Sequence, residues 1–91
     1  MQTTLLSKRK FEGETYKVFL NAPEYEGETG VCGIVILPYI TVQTPENAFG
    51  YSDTVMFDRN GRGYTLHRYL APYIIRQLEK VHEFWKRRLS L

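Results

Sequence analysis

The chain is 91 residues long, with 43% hydrophobic, 14% aromatic and 24% charged residues and a formal net charge of +2. These proportions are typical of a folded globular domain and exclude a collagen-like, low-complexity or fully disordered chain. The length allows one hydrophobic core, so we predict a single domain over residues 1–91. The longest uncharged run, residues 29–45, contains Gly30, Gly33 and Pro38 and is too short and too interrupted to span a bilayer.

Two features of the sequence bear on where the protein works. Residues 1–11 contain no apolar stretch of the kind that a secretory signal requires. Cys32 is the only cysteine, so no internal disulfide can form, as is usual in a reducing compartment. Both features predict a cytoplasmic protein.

The N-terminal third contains a predicted strand and an acidic loop. Residues 1–12 permit two interpretations, a strand that starts at residues 3–6 or a flexible basic arm. Residues 15–20 alternate in the manner of a strand, and residues 21–30 form a loop that begins with Asn-Ala-Pro and contains two glycines. This loop could contact a partner through Glu24, Tyr25, Glu26 and Glu28.

Residues 31–37 form the most apolar run of the chain. Both sides of this run are apolar, which predicts a central strand covered on both faces, or on one face by a partner chain. A homodimer is therefore one hypothesis for this protein. Cys32 has no histidine or cationic neighbour that would activate its thiol, so we predict a buried, inert cysteine. Residues 39–43 resume as a strand with Ile40 and Val42 facing inward.

A β-hairpin is the clearest local prediction. Asn60-Gly61 lies between two strand-like runs, residues 54–58 and 62–66. A two-residue turn requires positive φ at both central positions, which Asn and Gly tolerate best. The predicted cross-strand pairs are Arg59 with Arg62, Phe57 with Tyr64, and Val55 with Leu66. Two arginines opposite each other would repel. Either a partner that binds them or screening by solvent would explain their presence at this tip.

The C-terminal residues have helical periodicity. Pro72 is tolerated in the first turn of a helix, so we predict a helix over residues 71–88. Its apolar stripe has spacings of 4, 4, 3, 4 and 4 and consists of Leu70, Ile74, Leu78, Val81, Trp85 and Leu89.

The order of the elements predicts an α+β fold. A three- or four-stranded antiparallel sheet, including the Asn60-Gly61 hairpin, packs against one long C-terminal helix. One helix covers one face of a sheet, so the other face must be polar or be covered by loops, a second chain or a ligand.

Charge is distributed unevenly along the chain. Residues 1–58 hold four basic and eight acidic residues, a net charge of −4, whereas residues 59–91 hold eight basic and two acidic residues, a net charge of +6. This polarity favours an acidic partner for the second segment, although pairing within the fold or with the helix dipole would also explain it. The candidate partner contacts there are Arg59, Arg62, Arg68, Tyr69, Tyr73, Arg76, Lys86, Arg87 and Arg88.

No catalytic or metal-binding pattern is present in the sequence. His67 and His82 are far apart and Cys32 is remote from both, so no zinc-site spacing occurs. The acidic loop lacks the ligand order of a calcium-binding loop. We therefore predict a protein that is not an enzyme and needs no cofactor or metal.

Two functional hypotheses remain after these exclusions. The preferred one is a small non-enzymatic protein-binding module, an inhibitor or modulator of a larger protein or complex, of the type carried by phages and mobile elements. Seven tyrosines support it, because tyrosine is enriched at interfaces. The alternative is a nucleic-acid-binding domain that uses the basic hairpin tip and the C-terminal helix. The modest net charge favours a protein partner.

Overall fold

The structure, a computed structural model, describes residues 1–91 as a five-stranded antiparallel sheet and one helix. The elements are β1 (Gln2–Phe11), β2 (Glu14–Ala22), β3 (Tyr39–Gln43), β4 (Thr54–Phe57), β5 (Gly63–Thr65) and α1 (Pro72–Arg88). Each strand pairs with its neighbours in sequence, so the sheet is a simple meander. The predicted α+β fold is confirmed, but the predicted three or four strands are too few.

The additional strand is β1, which accounts for the basic N-terminal segment. β1 pairs with β2 along its whole length, so residues 1–12 are not a free arm. The register shifts between Leu5 and Ser7, which places a β-bulge at Leu6. The Trp85 indole N–H donates to the Ser7 hydroxyl at 3.2 Å and ties β1 to the helix.

The hydrophobic core lies between α1 and one face of the sheet. Val18, Val42, Val55 and Leu78 are completely buried there. The predicted apolar stripe of the helix packs into this core, and Ile40 and Val42 face inward as expected. Pro72 occupies the first turn of α1, where its missing N–H has no intrahelical partner to lose.

No helix covers the second face of the sheet. Asn21, near the C-terminal end of β2, lies on this face. Its side-chain amide donates to Thr41 Oγ1 at 3.0 Å, and its side-chain oxygen accepts from Thr3 Oγ1 at 3.2 Å. Leu5 and Tyr64 remain about half exposed on the outer strands, at 46% and 48%. This face is therefore polar at one end and partly apolar across its middle.

The prediction of a central strand at residues 31–37 is wrong. These residues form an exposed loop that makes one isolated bridge, between Thr29 and Val35. Turns take the place of the hydrogen bonds between paired strands. Gly33 N–H donates to the carbonyl of Gly30 at 3.0 Å, and Gly33 has a φ of +73°. Cys32 is exposed, contrary to the predicted buried thiol. The apolar run is interrupted by turn-forming glycines too often to extend along a neighbouring strand.

The hairpin is present, but its register differs from the prediction by one residue. Met56 pairs with Tyr64 and Phe57 with Gly63, so Arg59 and Arg62 do not face each other in the ladder. The turn is a longer one, in which Asp58 Oδ1 accepts the N–H groups of Asn60 and Arg62 at 2.8 and 3.0 Å. Only Gly61 takes a positive φ, +78°, which is typical of a turn followed by a glycine bulge.

The connections alternate between two ends of the sheet. We call one the lower end; it comprises residues 23–38, the hairpin loop at 58–62 and the last turn of α1. We call the opposite one the upper end; it comprises the β1–β2 turn, residues 44–53 and residues 66–71. The single helix is neither long nor apolar enough to cross a bilayer.

Candidate functional site

The lower end carries the most exposed aliphatic side chains of the molecule. Val31 is fully exposed, and Ile34 and Leu37 are each 73% exposed. Val35 adds a further half-exposed side chain in the same loop. Monomeric proteins rarely expose several large apolar side chains close together unless the surface contacts something.

The loop that presents these side chains is held at its base. Ile36 N–H donates to the carbonyl of Glu28 at 2.8 Å, and Gly30 N–H donates to the carbonyl of Ile34 at 2.9 Å. Ile36 itself is partly buried, unlike its neighbours. These bonds fix the loop backbone in the free protein, which reduces the entropy that a partner must overcome on binding.

A groove of about 430 Å³ lies beside the apolar loop. The loop contributes Leu37 and the hairpin contributes Arg59, while Lys86 approaches from the last turns of α1. The structure therefore brings two of the basic residues that the sequence singled out to the edge of an apolar surface.

His82 forms part of the groove wall and is buried at 8% exposure. Its ring stacks on Phe57, with centroids 4.1 Å apart and an interplanar angle of 14°. Nδ1 has no hydrogen-bond partner. Desolvation lowers the pKa of His82, and the nearby charge of Lys86 lowers it further.

We expect replacement of His82 by Phe to stabilise the protein at mildly acidic pH, by about 1 kcal/mol near pH 5.5. Below about pH 6.5 the unfolded histidine binds a proton before the buried one does, so the wild type loses stability as pH falls towards the lowered pKa. The His82→Phe variant has no titratable group at this position, so its stability should not fall with pH in this way. Urea unfolding at several pH values measures it, with exposed His67→Phe as the control. An equal slope in His82→Phe and wild type would contradict the expectation.

The other candidate basic residues of the segment 59–91 are either exposed or paired. Arg62 and Arg88 are exposed at the lower end. Arg87 bonds Glu83 at 2.8 Å one turn earlier on the helix, and the pair is solvent-exposed. An exposed pair of this type contributes little to stability, so Arg87 remains available to a partner.

Arg68 is engaged inside the protein at the upper end. Its guanidinium donates to the carbonyls of Pro45 and Tyr51 at 2.8 and 2.7 Å. The carboxylate of Asp53 accepts the backbone N–H groups of His67 and Arg68 at 2.8 and 2.7 Å. Arg68 and Asp53 thus lock residues 44–53 to the segment before the helix, and Arg68 is not free to contact a partner.

The remaining candidates lie away from the lower end. Tyr69 is 81% exposed at the upper end, and Phe49, on the loop that Arg68 holds, is 83% exposed at the same end. Tyr73 donates its hydroxyl to Glu12 across the β1–β2 turn, and Arg76 is exposed on the outer side of α1. The structure therefore does not gather all the predicted contacts into one surface.

The acidic loop has one buried and two exposed carboxylates. Glu28 is 7% exposed and accepts from the Met1 amine at 2.9 Å. Glu24, Tyr25 and Glu26 are exposed at the lower end, in the segment leading to the apolar loop. The lower end therefore carries exposed charges of both signs as well as the aliphatic side chains.

No family model, curated protein or solved structure matches this chain in the comparisons made.

No three His, Cys, Asp or Glu side chains lie together in an arrangement that could hold a metal ion. The lower end offers instead an apolar centre with a charged rim, which is the anatomy of a protein interface. The sequence analysis missed the residues at its centre because it assigned residues 31–37 to a buried strand. The glycines and Pro38 were the features of the sequence that indicated a loop.

Proposed function

We propose that this chain is a small non-enzymatic protein-binding module, an inhibitor or modulator of a larger protein, whose contact surface is the lower end. The observation that carries the proposal is the exposure of Val31, Ile34 and Leu37 on a loop whose backbone is already fixed. Burial of apolar side chains supplies a large favourable term in such contacts, roughly 25 cal/mol per Å² before the entropic cost of association is subtracted. Arg59 and Lys86 beside the loop would add specificity through charge.

The charge distribution supports a protein over a nucleic acid as the partner. Glu24 and Glu26 are exposed at the same end as the basic residues and would repel phosphates. A protein surface with an apolar centre tolerates a rim of mixed charge. The proposed partner is therefore a protein with a complementary apolar pocket and an acidic region at its margin.

The exposed Cys32 provides a direct test, since it is the only cysteine and lies within the apolar loop. A benzophenone attached to Cys32 should crosslink one discrete partner in an extract of the source cells, and Ile34→Asp should abolish the adduct without lowering the melting temperature. The matched control carries the label at the opposite end, on Cys32→Ser/Glu14→Cys, and should not give this adduct.

Two outcomes would contradict the proposal. The first is the same set of adducts from both label positions. The second is a nucleic-acid interaction governed by the lower end: neutralisation of phosphates by five basic residues would give a slope of log K against log salt near about −4.5 on duplex DNA. Sedimentation of the free protein distinguishes a different partner protein from a second copy of this chain, because a dimer that depends on Ile34 would identify the partner as a second copy.

A further inference from the structure

The meander leaves β1 at the edge of the sheet, with one side of its backbone unpaired. Beyond the bulge at Leu6, Ser7 to Phe11 pair with β2 on the inner side only. Alternate N–H and C=O groups of this stretch therefore point away from the sheet, and such a row is a template for another extended segment.

A groove of about 520 Å³ runs beside this free edge, between β1 and α1, and we call it the β1–α1 groove. Four cations line it: Lys8, Arg9, Lys10 and Lys80. None of the four takes part in an ion pair, and no acidic residue lines the groove. Phe84, at 49% exposure, and Val81 supply an apolar wall.

We propose that the β1–α1 groove binds an extended acidic segment of a partner protein, which adds to β1 as a sixth strand. Main-chain hydrogen bonds would satisfy the free edge of residues 7–11. Alternate side chains of the segment would point to opposite sides of the sheet, so carboxylates on one side reach Lys8 and Lys10, while apolar side chains on the other side pack on Phe84, on the same side as Arg9. This surface is separate from the lower end, and the proposal does not depend on the loop at residues 31–37.

The positive charge of the β1 edge favours an acidic segment over two other occupants, a second copy of this chain and a single-stranded nucleic acid. A second copy aligned on the same stretch would bring together Lys8, Arg9 and Lys10 from both chains, and like charges opposite one another disfavour pairing. A single-stranded nucleic acid would satisfy the cations but not the backbone groups of the edge. It would also need several aromatic platforms, and Phe84 is the one well-exposed ring in the groove.

The test uses the whole protein and a fluorescent peptide of about eight residues that alternates Glu with Val. We expect saturable binding at about 50 mM salt, and a loss of affinity of about tenfold or more when alternate peptide nitrogens are methylated, which removes the strand hydrogen bonds. Hydrogen exchange should slow at the outward amides of residues 7–11.

Charge reversal provides the matched comparison. Lys8→Glu/Lys10→Glu should weaken binding about tenfold or more, whereas Arg62→Glu/Arg88→Glu, with the same change in net charge at the lower end, should leave it within about twofold. Absence of peptide binding would overturn the proposal. Equal binding of the methylated peptide, or tighter binding of an oligothymidine of similar length, would overturn it in favour of a purely electrostatic site. Because the wild-type protein alone decides these outcomes, a folding defect in a variant cannot obscure them.

Discussion

Replacement of Asp53 by Asn is expected to lower the free energy of unfolding by about 3 kcal/mol at pH 7. The buried carboxylate accepts three backbone N–H groups, from Thr54, His67 and Arg68, at 2.7–2.8 Å. An amide would turn its own N–H₂ group towards at least one of these donors and leave it unpaired. Chemical denaturation followed by Trp85 fluorescence measures the loss.

The pH dependence distinguishes a charge effect from loss of packing. Desolvation raises the pKa of Asp53, but the three backbone donors together hold it below its ordinary value. The stabilisation is therefore complete above about pH 5, where the unfolded carboxyl is almost fully ionised, and disappears as pH falls through the lowered pKa. The difference between wild type and Asp53→Asn should shrink over that range. Glu46→Gln, an exposed change in the same loop, is the control; an equal loss in both variants would contradict the assignment.

Truncation of Leu78 to Ala should destabilise the protein by about 3–4 kcal/mol. Leu78 is completely buried at the centre of the helix face that contacts the sheet, and neighbouring valines cannot extend into the space that its side chain leaves. For a domain of this size each kcal/mol corresponds to roughly 4–8 °C in melting temperature. Calorimetry of Leu78→Ala beside Gln77→Ala measures the effect. The adjacent residue is exposed and Ala is the better helix former, so Gln77→Ala should change stability by less than about 0.5 kcal/mol, and a similar loss in both variants would contradict the core role of Leu78.

The helix was predictable because its signal repeats. Apolar residues recur over five turns, and Pro72 fixes the start, so several independent cues agree on α1. The strand β3 was predictable for a similar reason, since Ile40 and Val42 alternate with polar neighbours. In both elements, the spacing of the apolar residues in the sequence shows which face packs into the core.

The apolar loop was not predictable from the same reasoning. A run that is apolar on both sides looks the same whether it is buried or exposed, and periodicity cannot separate the two. Only the spacing of Gly30 and Gly33 and the following Pro38 distinguish residues 31–37 from a central strand. The prediction failed at the loop where the proposed contact lies, and local sequence rules are expected to fail most often where residues serve binding instead of folding.

The hairpin and β1 show two further limits. Asn60-Gly61 located the turn, but the side chain of Asp58 determines its length by accepting two backbone N–H groups, and this shifts the register by one residue. β1 has polar side chains on both faces because it is an edge strand, so it lacks the alternation by which strands are recognised. Its pairing with β2 is determined by the tight turn at Glu12 and Gly13, both of which have positive φ.

The position of α1 after all five strands has a consequence for synthesis. The five strands leave the ribosome first and can pair in order, since every sheet neighbour is also a neighbour in sequence. Val18, Val42 and Val55 then have no cover until residues 72–88 emerge. The Trp85–Ser7 hydrogen bond, which joins the helix to the first strand, forms only at that stage. A chain interrupted before residue 72 would therefore present a bare apolar sheet to chaperones and proteases, so the synthesis of residues 72–88 decides whether the sheet can bury its core.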